Sequence, residues 1–484
     1  MENFVQKLSK YEKALLALFL LTLPLVNPWV RGDGVGYYAF ARAPLIEHRL
    51  DFRQDWMNAN ESFRMWRVSG QGDSGSIDQD QYTSTGHLNN HFAVGPAILW
   101  APFLIVTHAI VKTADALGGH IRADGFSRPY LVTMALATAL YGFGALWISF
   151  HLARKYLPEH WAFAATLGIW FASSLPVYMY FNPSWSHAHS AFIVALFLWY
   201  WLRTRGERTL LQWVILGAIG GLMMDVYYIN AVVLLLPFVE SMAAYFSAIQ
   251  RGEISRAGSM LFANALFSVT LLAAFLPTLI TKKIIYGSFR NFGYGVPWYW
   301  SSPAFFKVAL SSDHGFLAWT PILALAVVGL ALFARTDRTL ALGLGGVFLL
   351  YVYAIGCYAD WDGLSSFGNR FFISLTPIFV IGLAAFFDWV AKAMRPQRAP
   401  WAVATATAIF VAGNFGMIFQ WGTHLIPPRG PISWRVAAYN QVAVVPVMAT
   451  GMLKSYFTSR SRLMNRIEQQ DVRQLQYQKS GEMP

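Results

Sequence analysis

The sequence predicts an all-α polytopic membrane protein. Three observations carry this. Apolar runs of roughly 20 residues, the length that crosses a hydrocarbon core, recur from residue 14 to residue 453. Hydrophobic residues make up 56% of the 484-residue chain and charged residues 13%, which sets it apart from a soluble protein with a large core. The runs are continuous and lack the period-2 alternation of a membrane barrel.

Thirteen apolar segments stand out, at roughly 14–30, 92–112, 129–151, 160–181, 187–203, 210–226, 228–246, 259–285, 315–334, 339–357, 370–391, 400–421 and 436–453. Basic residues before the first segment resemble a signal peptide, but no small-residue cleavage site follows, so it reads as an uncleaved first helix. Loop charge gives the orientation. The loops 203–208, 247–258, 334–338 and 391–399 hold ten Lys/Arg; the alternating loops 182–190, 286–314, 358–369 and 422–435 hold four, namely Arg290, Lys307, Arg429 and Arg435. By the positive-inside rule the first set is cytoplasmic and the second faces out. Lys7, Lys10 and Lys13 put the N-terminus inside, and the basic tail from Lys454 reads as cytoplasmic too. An odd number of crossings cannot serve both ends, so one segment should fail to span. The best suspect is 92–112, interrupted by Gly95-Pro96 and Pro102, and the second is 160–181. The expected bundle therefore has about 12 transmembrane helices over residues 1–453, followed by a tail at 454–484.

On this topology residues 31–91 form a long outside loop. Its stretch from Ala43 to Trp66 predicts one or two short helices on the membrane surface, and 69–86 reads as a mobile loop. The net charge of +12 fits cytoplasmic bias beside anionic lipid. No basic stripe interleaves with aromatics on a soluble domain, so no nucleic-acid partner is expected. One cysteine, Cys357, rules out an intrachain disulfide.

Nearly all unusual polar residues fall in the outside loops, so a single site should face out, built at the tops of several helices. In "RGDGVGYY" (31–38), Asp33 sits between glycines where the first apolar run ends. It is either a helix-end cap or a general base taking a proton from an attacking hydroxyl; the glycines would let backbone approach a ligand. Tyr37 and Tyr38 follow as candidate contacts to a sugar or acceptor. Arg370 opens a late apolar segment and is either a snorkelling arginine or a phosphate clamp, since guanidinium matches phosphate oxygens bidentately. His187 and His189 in "SWSHAHS" lie two apart and face different sides of a helix, so a metal pair is not expected there; they are interfacial residues or donors to a phosphate or sugar hydroxyl. His314, Arg290, Asp360, Trp361 and Asp362 are further candidates. Tyr294, Trp298, Tyr299 and Trp300 form an interfacial belt or a stacking surface for sugar. No Walker loop, G-x-G-x-x-G fingerprint or G-x-S-x-G elbow is present, so the energy of any reaction would come from an activated substrate dissolved in the membrane.

An acid just past the first helix, a long outside loop and about ten further helices resemble the GT-C glycosyltransferases, which include protein mannosyltransferases and bacterial aminoarabinose transferases. "FAVGPAILWAPF", "ADGFSRPY", "NPSWSHAHSAF", "HGFLAWTP" and "WDGLSSFGNRFFISLTP" are similar to motifs of bacterial members, and the resemblance covers most of residues 10–400. It implies transfer of a sugar from a polyprenyl-phosphate donor to a lipid, glycan or protein acceptor on the periplasmic face of the bacterial inner membrane, usually with inversion. It implies Asp33 as base, and Arg370, with His187 and Arg290, at the donor phosphate. Tyr37, Tyr38, His189, His314, Trp361 and Asp362 would meet acceptor or sugar. Many members carry two adjacent first-loop acids; here Asp33 stands alone, with Glu47 and Asp55 the other carboxylates considered. With few acids around the site, no cofactor and no metal are expected. A transporter or flippase of lipid-linked saccharide would show repeats and mid-membrane ionisable residues, and a polysaccharide ligase or polymerase would centre on a late loop rich in Arg and His, of which 421–435 is a poor example.

Overall fold

A capping box starts the first helix: Ser9 Oγ accepts the Glu12 amide, and the Glu12 carboxylate accepts the Ser9 amide. This computed structural model describes residues 8–69, 75–291 and 295–480. Lys7, positions 70–74 of the expected mobile loop and Tyr294 lie outside those residues. Helix α1 (Lys10–Thr22) ends in a 3-10 turn at Leu23–Leu25, and α2 (Asp33–Arg42) opens the long loop.

After α3 (Gly95–Ala116), helix α4 (Arg128–Arg154) runs antiparallel to α1. Phe143 stacks on Phe19, and His151 and Arg154 each reach Glu12 at 3.2 Å. Helix α5 (Glu159–Phe171) turns back, and Trp170 Nε1 donates to Tyr180, whose hydroxyl meets Thr22 at the far end of α1. The second suspect segment, 160–181, thus reaches from one end of the bundle to the other. It does so through an α-helix and a π turn at Val177–Phe181.

Helices α6 (His187–Arg203), α7 (Leu210–Val226), α8 (Leu235–Gln250) and α9 (Ile254–Tyr286) follow. Gly217 and Gly221 of α7 lie against the carbonyls of Phe267 and Leu271 on α9, where a Cβ has no room; small residues let two backbones close in without a side-chain layer. Helices α10 (Ile322–Phe333), α11 (Arg338–Cys357) and α12 (Thr376–Ala393) come next, and Gly329 and Gly382 make the same close approach between α10 and α12. Nearly every residue from Arg370 to Asp388 is buried, which makes this stretch the central helix and sets Arg370 at its head, inside the bundle. Helices α13 (Ala399–Gly422), α14 (Trp434–Thr458) and α15 (Arg460–Ser480) complete the chain.

The chain is thus an all-α polytopic membrane protein. Among the described residues, eight helical stretches are long and apolar enough to cross a bilayer, and α7 and α10 are shorter apolar helices; the expected count of about 12 exceeds this. Segment 92–112 forms the continuous helix α3, long and apolar enough to cross a bilayer. It runs antiparallel to α4, with Trp100 at Thr138 and His108 at Tyr130, and its start lies beside the loop that holds Asn90 and Phe92 against Tyr37.

The last two segments depart from expectation. Helix α14 was expected to cross at 436–453. Instead Asn440 near its start donates to the Leu425 carbonyl, and Tyr456 near its end donates to the Leu25 carbonyl. Both partners belong to the Asp33 end, so α14 lies along that end. The tail was expected on the opposite side from residues 31–91. Instead α15 packs on the loop: Arg31 pairs with Asp471 at 2.5 Å, and Glu468 accepts from Asn60 and from the Ser62 amide. One of the basic residues that suggested a cytoplasmic tail, Arg460, is used locally, donating to the carbonyls of Pro24 and Val26. The start of α1 and helix α15 thus lie at opposite ends of the bundle, and the parity conflict read from loop charge disappears.

The expected surface helices are present at Arg53–Met57 and Glu61–Arg64. Within the stretch expected to be mobile, Val68 and Ser69 pair with Ile77 and Ser76, and Tyr82 bridges Leu88.

Candidate active site

The site grows from the turn at Gly32. Its φ of +54° is in the left-handed region, and a Cβ there would press on the Trp185 indole. Trp185 itself donates from Nε1 to the Arg31 carbonyl at 3.0 Å. This turn makes Asp33 the first residue of α2, where the helix dipole favours a carboxylate. Gly34 and Gly36 keep α2 flush against Ser184 and Phe92, with no space for a side chain. The glycines of "GDGVG" thus serve close packing as well as the turn, and they aim Asp33 inward.

Arg370 comes from the other side. The loop 358–369 bends through Gly363 and Gly368, both with positive φ, and delivers Arg370 to a 3-10 turn ahead of α12. Its Nη1 donates to Asp33 Oδ2 at 2.7 Å, and its guanidinium lies 4.4 Å from the Trp185 ring centre. The arginine side chain is 5% exposed and that of Asp33 23%. The pair is a partition between two cavities. One, of about 270 Å³, is walled by Tyr37, His187, Tyr227, Trp298 and Phe371. The other, of about 260 Å³, is lined by Arg31, Asn182, His424, Arg429 and Asp471. Asp33 and Arg370 line both.

Burial and the nearby Asp33 charge hold the Tyr37 phenol well above its usual range, so it stays protonated; its oxygen accepts from Ser186 at 3.0 Å. Burial pushes His91 down to about 3, so this wall residue is neutral at physiological pH. His187 is buried against Tyr178, Trp185 and Tyr227, with Nδ1 lacking a hydrogen-bond partner.

Of the residues singled out in the sequence, Asp33, Arg370, His187, Tyr37, Asp360 and Trp298 line the aromatic cavity. The others do not. Tyr38 turns away and donates to the Gly125 carbonyl. His189 is held between Trp100 and Tyr141, on another face of α6 from His187, as the two-residue spacing dictates. Arg290 is exposed in the loop after α9 and lines neither cavity. Trp361 is half-buried, and its carbonyl accepts from Asn369. His314 and Asp362 gather with Asp313 instead. Glu47 and Asp55 are taken by Arg42, which holds Asp55 through two contacts of 2.7 Å and Glu47 through a third.

Sequence reasoning missed His91, and the wall that α15 gives the polar cavity through Ile467, Asp471 and Gln474. It also missed Lys282, fully buried in α9, whose Nζ donates to the carbonyls of Asn90 and Phe92 and so holds the His91 loop in place. A lysine inside an apolar helix was the available signal, because such a charge is costly unless it has work to do.

Fold and site together define a polytopic helical membrane protein with an acid–arginine pair between two cavities at one end of its bundle. No family model matches the chain, and no curated protein does. Among solved structures, ArnT from Cupriavidus metallidurans, crystallised with undecaprenyl phosphate, is 15% identical over 84% of this chain and 70% of its own, with a TM-score of 0.47. The archaeal oligosaccharyltransferase AglB from Archaeoglobus fulgidus, in complex with an inhibitory peptide and a dolichol-phosphate, is 14% identical over 85% of this chain and 55% of its own, with a TM-score of 0.47. An Archaeoglobus fulgidus oligosaccharyltransferase in the apo form is 14% identical over 91% and 55%, with a TM-score of 0.45. This chain spans a little over half the length of the two archaeal enzymes. Likeness of this order concerns the path of the chain alone.

Proposed function

We propose that this protein is a membrane glycosyltransferase that moves a sugar from a polyprenyl-phosphate donor to an acceptor hydroxyl, with inversion. In this reading the site faces the periplasm from the bacterial inner membrane. The observation that carries it is the Asp33–Arg370 pair, which faces two cavities at once.

The aromatic cavity takes the donor sugar and the first part of its lipid. There a phosphate shares the Arg370 guanidinium, which has five N–H donors and can serve two acceptors. The polar cavity takes the acceptor. As its hydroxyl oxygen bonds to the anomeric carbon, its proton passes to the Asp33 carboxylate. The bond from the anomeric carbon to the phosphate oxygen breaks on the opposite side, and the leaving polyprenyl phosphate keeps the electron pair, with its charge stabilised by Arg370. Tyr37 stays protonated and does not compete as base. The steps as written use no metal and no cofactor. Both cavities lie at one end of the bundle, which favours transfer over transport, since transporters place their substrate near the midplane.

The test is a transfer assay on purified protein with a panel of radiolabelled polyprenyl-phosphate sugars. Turnover of none of them, with lipid-linked saccharide moving across vesicles instead, would replace this reading by transport.

A further inference from the structure

We propose that Asp313, His314 and Asp362 hold a divalent transition cation, Zn²⁺ or Mn²⁺, which fastens the loop ahead of Arg370 to the turn at Ser311–Gly315. The inference stands apart from the proposed reaction, because none of the three residues lines either cavity.

One potential ligand atom from each residue lies within 4.8 Å of the other two. Proximity of two acids and a histidine is common, so the weight falls on what His314 lacks. It has no exposed surface, and neither ring nitrogen meets a side-chain hydrogen-bond partner; the Asp362 backbone is the acceptor that acts on the ring. Its Nδ1 faces Asp313 Oδ1 at 3.5 Å, and that oxygen is also buried without a hydrogen bond. Buried polar groups are almost always satisfied, so facing orphans of this kind need an explanation, and an unseen ion is among the standard ones. Ligands about 2.1 Å from a tetrahedral metal stand about 3.4 Å apart, which matches the observed separation.

Two carboxylates this close repel each other. Arg429 acts on both through its charge, yet makes no ion pair with either among the described residues. One nitrogen and two oxygens suit Zn²⁺ or Mn²⁺ better than Mg²⁺ or Ca²⁺, which prefer oxygen alone. Asp362 lies eight residues before Arg370 in a loop bent at Gly363, Leu364 and Gly368. A cation that tied it to residues 313 and 314 would fix where Arg370 begins.

The test uses the full chain in detergent, stripped with EDTA and titrated with Mn²⁺ alone. The expected result is one bound Mn²⁺ whose pulsed EPR spectrum shows coupling to one imidazole ¹⁴N, displaced by Zn²⁺, with a higher thermal midpoint than the stripped protein. His314→Gln should remove the nitrogen coupling and weaken Mn²⁺ binding by more than about 100-fold, the upper end of what losing a supporting hydrogen bond costs. Asp362→Asn should weaken binding with the nitrogen coupling kept. If a variant fails to fold, the wild-type spectrum still decides. Bound Mn²⁺ without ¹⁴N coupling, or no bound Mn²⁺ and no retained Zn²⁺, overturns the proposal.

Discussion

Arg370 Nη1 donates to Asp33 Oδ2 across 2.7 Å, joining residues 337 positions apart. Each end of the contact has a local cause. The left-handed turn at Gly32 puts Asp33 at a helix start, and the central helix carries Arg370 into the bundle interior. The other two first-loop carboxylates considered, Asp55 and Glu47, are held by Arg42.

Arg370→Ala should weaken binding of polyprenyl phosphate by about 100-fold, the scale of a lost charge-assisted hydrogen bond. Arg370→Lys should recover part of this, since one ammonium replaces the charge and not the fork. Isothermal titration with polyprenyl phosphate checks both, and unchanged affinity in the alanine variant would leave Arg370 as a structural partner of Asp33 only.

The contacts of α15 predict that tail and first loop share one face. Cysteines introduced at exposed Arg49 and Gln476 should react with an impermeant thiol reagent from the same side of sealed vesicles, and one at Gly206 from the other. The native Cys357 is buried and should stay silent. Labelling of Arg49→Cys and Gln476→Cys from opposite sides would contradict the arrangement.

Docking of α15 should resist acid. Burial raises the Asp471 carboxyl, but Arg31 and His424 outweigh it and hold the group below its usual range. A depressed carboxyl stabilises docking above its unfolded value and loses that contribution only as pH falls through the lower folded one. Spin-label distances between Ser76→Cys and Gln476→Cys should therefore stay constant from pH 8 to 5 and broaden only below about 4. Asp471→Asn should loosen docking by about 1 kcal/mol at neutral pH and broaden the distances there. Broadening that sets in between pH 7 and 5 would assign the docking to another group.

Much of this was legible in the sequence. Continuous apolar runs gave the helical membrane class, but the Gly-Pro interruptions in 92–112 did not break α3, whose Pro96 sits in the first turn, where its missing N–H is not needed. Asp33, Arg370, His187 and Tyr37 were recognisable because each breaks a local pattern: an acid between glycines, or a polar residue at the head of an apolar run. Other features were hidden for physical reasons. Whether a histidine faces a cavity depends on helix phase, so His187 lines the site and His189 does not. Loop charge reports on orientation only where the charges are free. In α15 Arg460 is spent on backbone carbonyls, and the acids Asp471 and Glu468 fasten the helix to Arg31 and Asn60, pairings that span more than 400 positions.

The central claim is that Asp33 takes the acceptor proton, and the transfer assay with Asp33→Asn tests it most directly. Asparagine keeps the shape, and its Oδ1 can still accept from Arg370, so folding and donor binding should be largely retained. What it cannot do is take a proton. Turnover should fall by about 10²–10⁴-fold, and Asp33→Glu should recover little, since a carboxylate shifted by about an ångström is misaligned for the attack. Wild-type turnover in Asp33→Asn would contradict the account and leave Asp33 as the cap of α2.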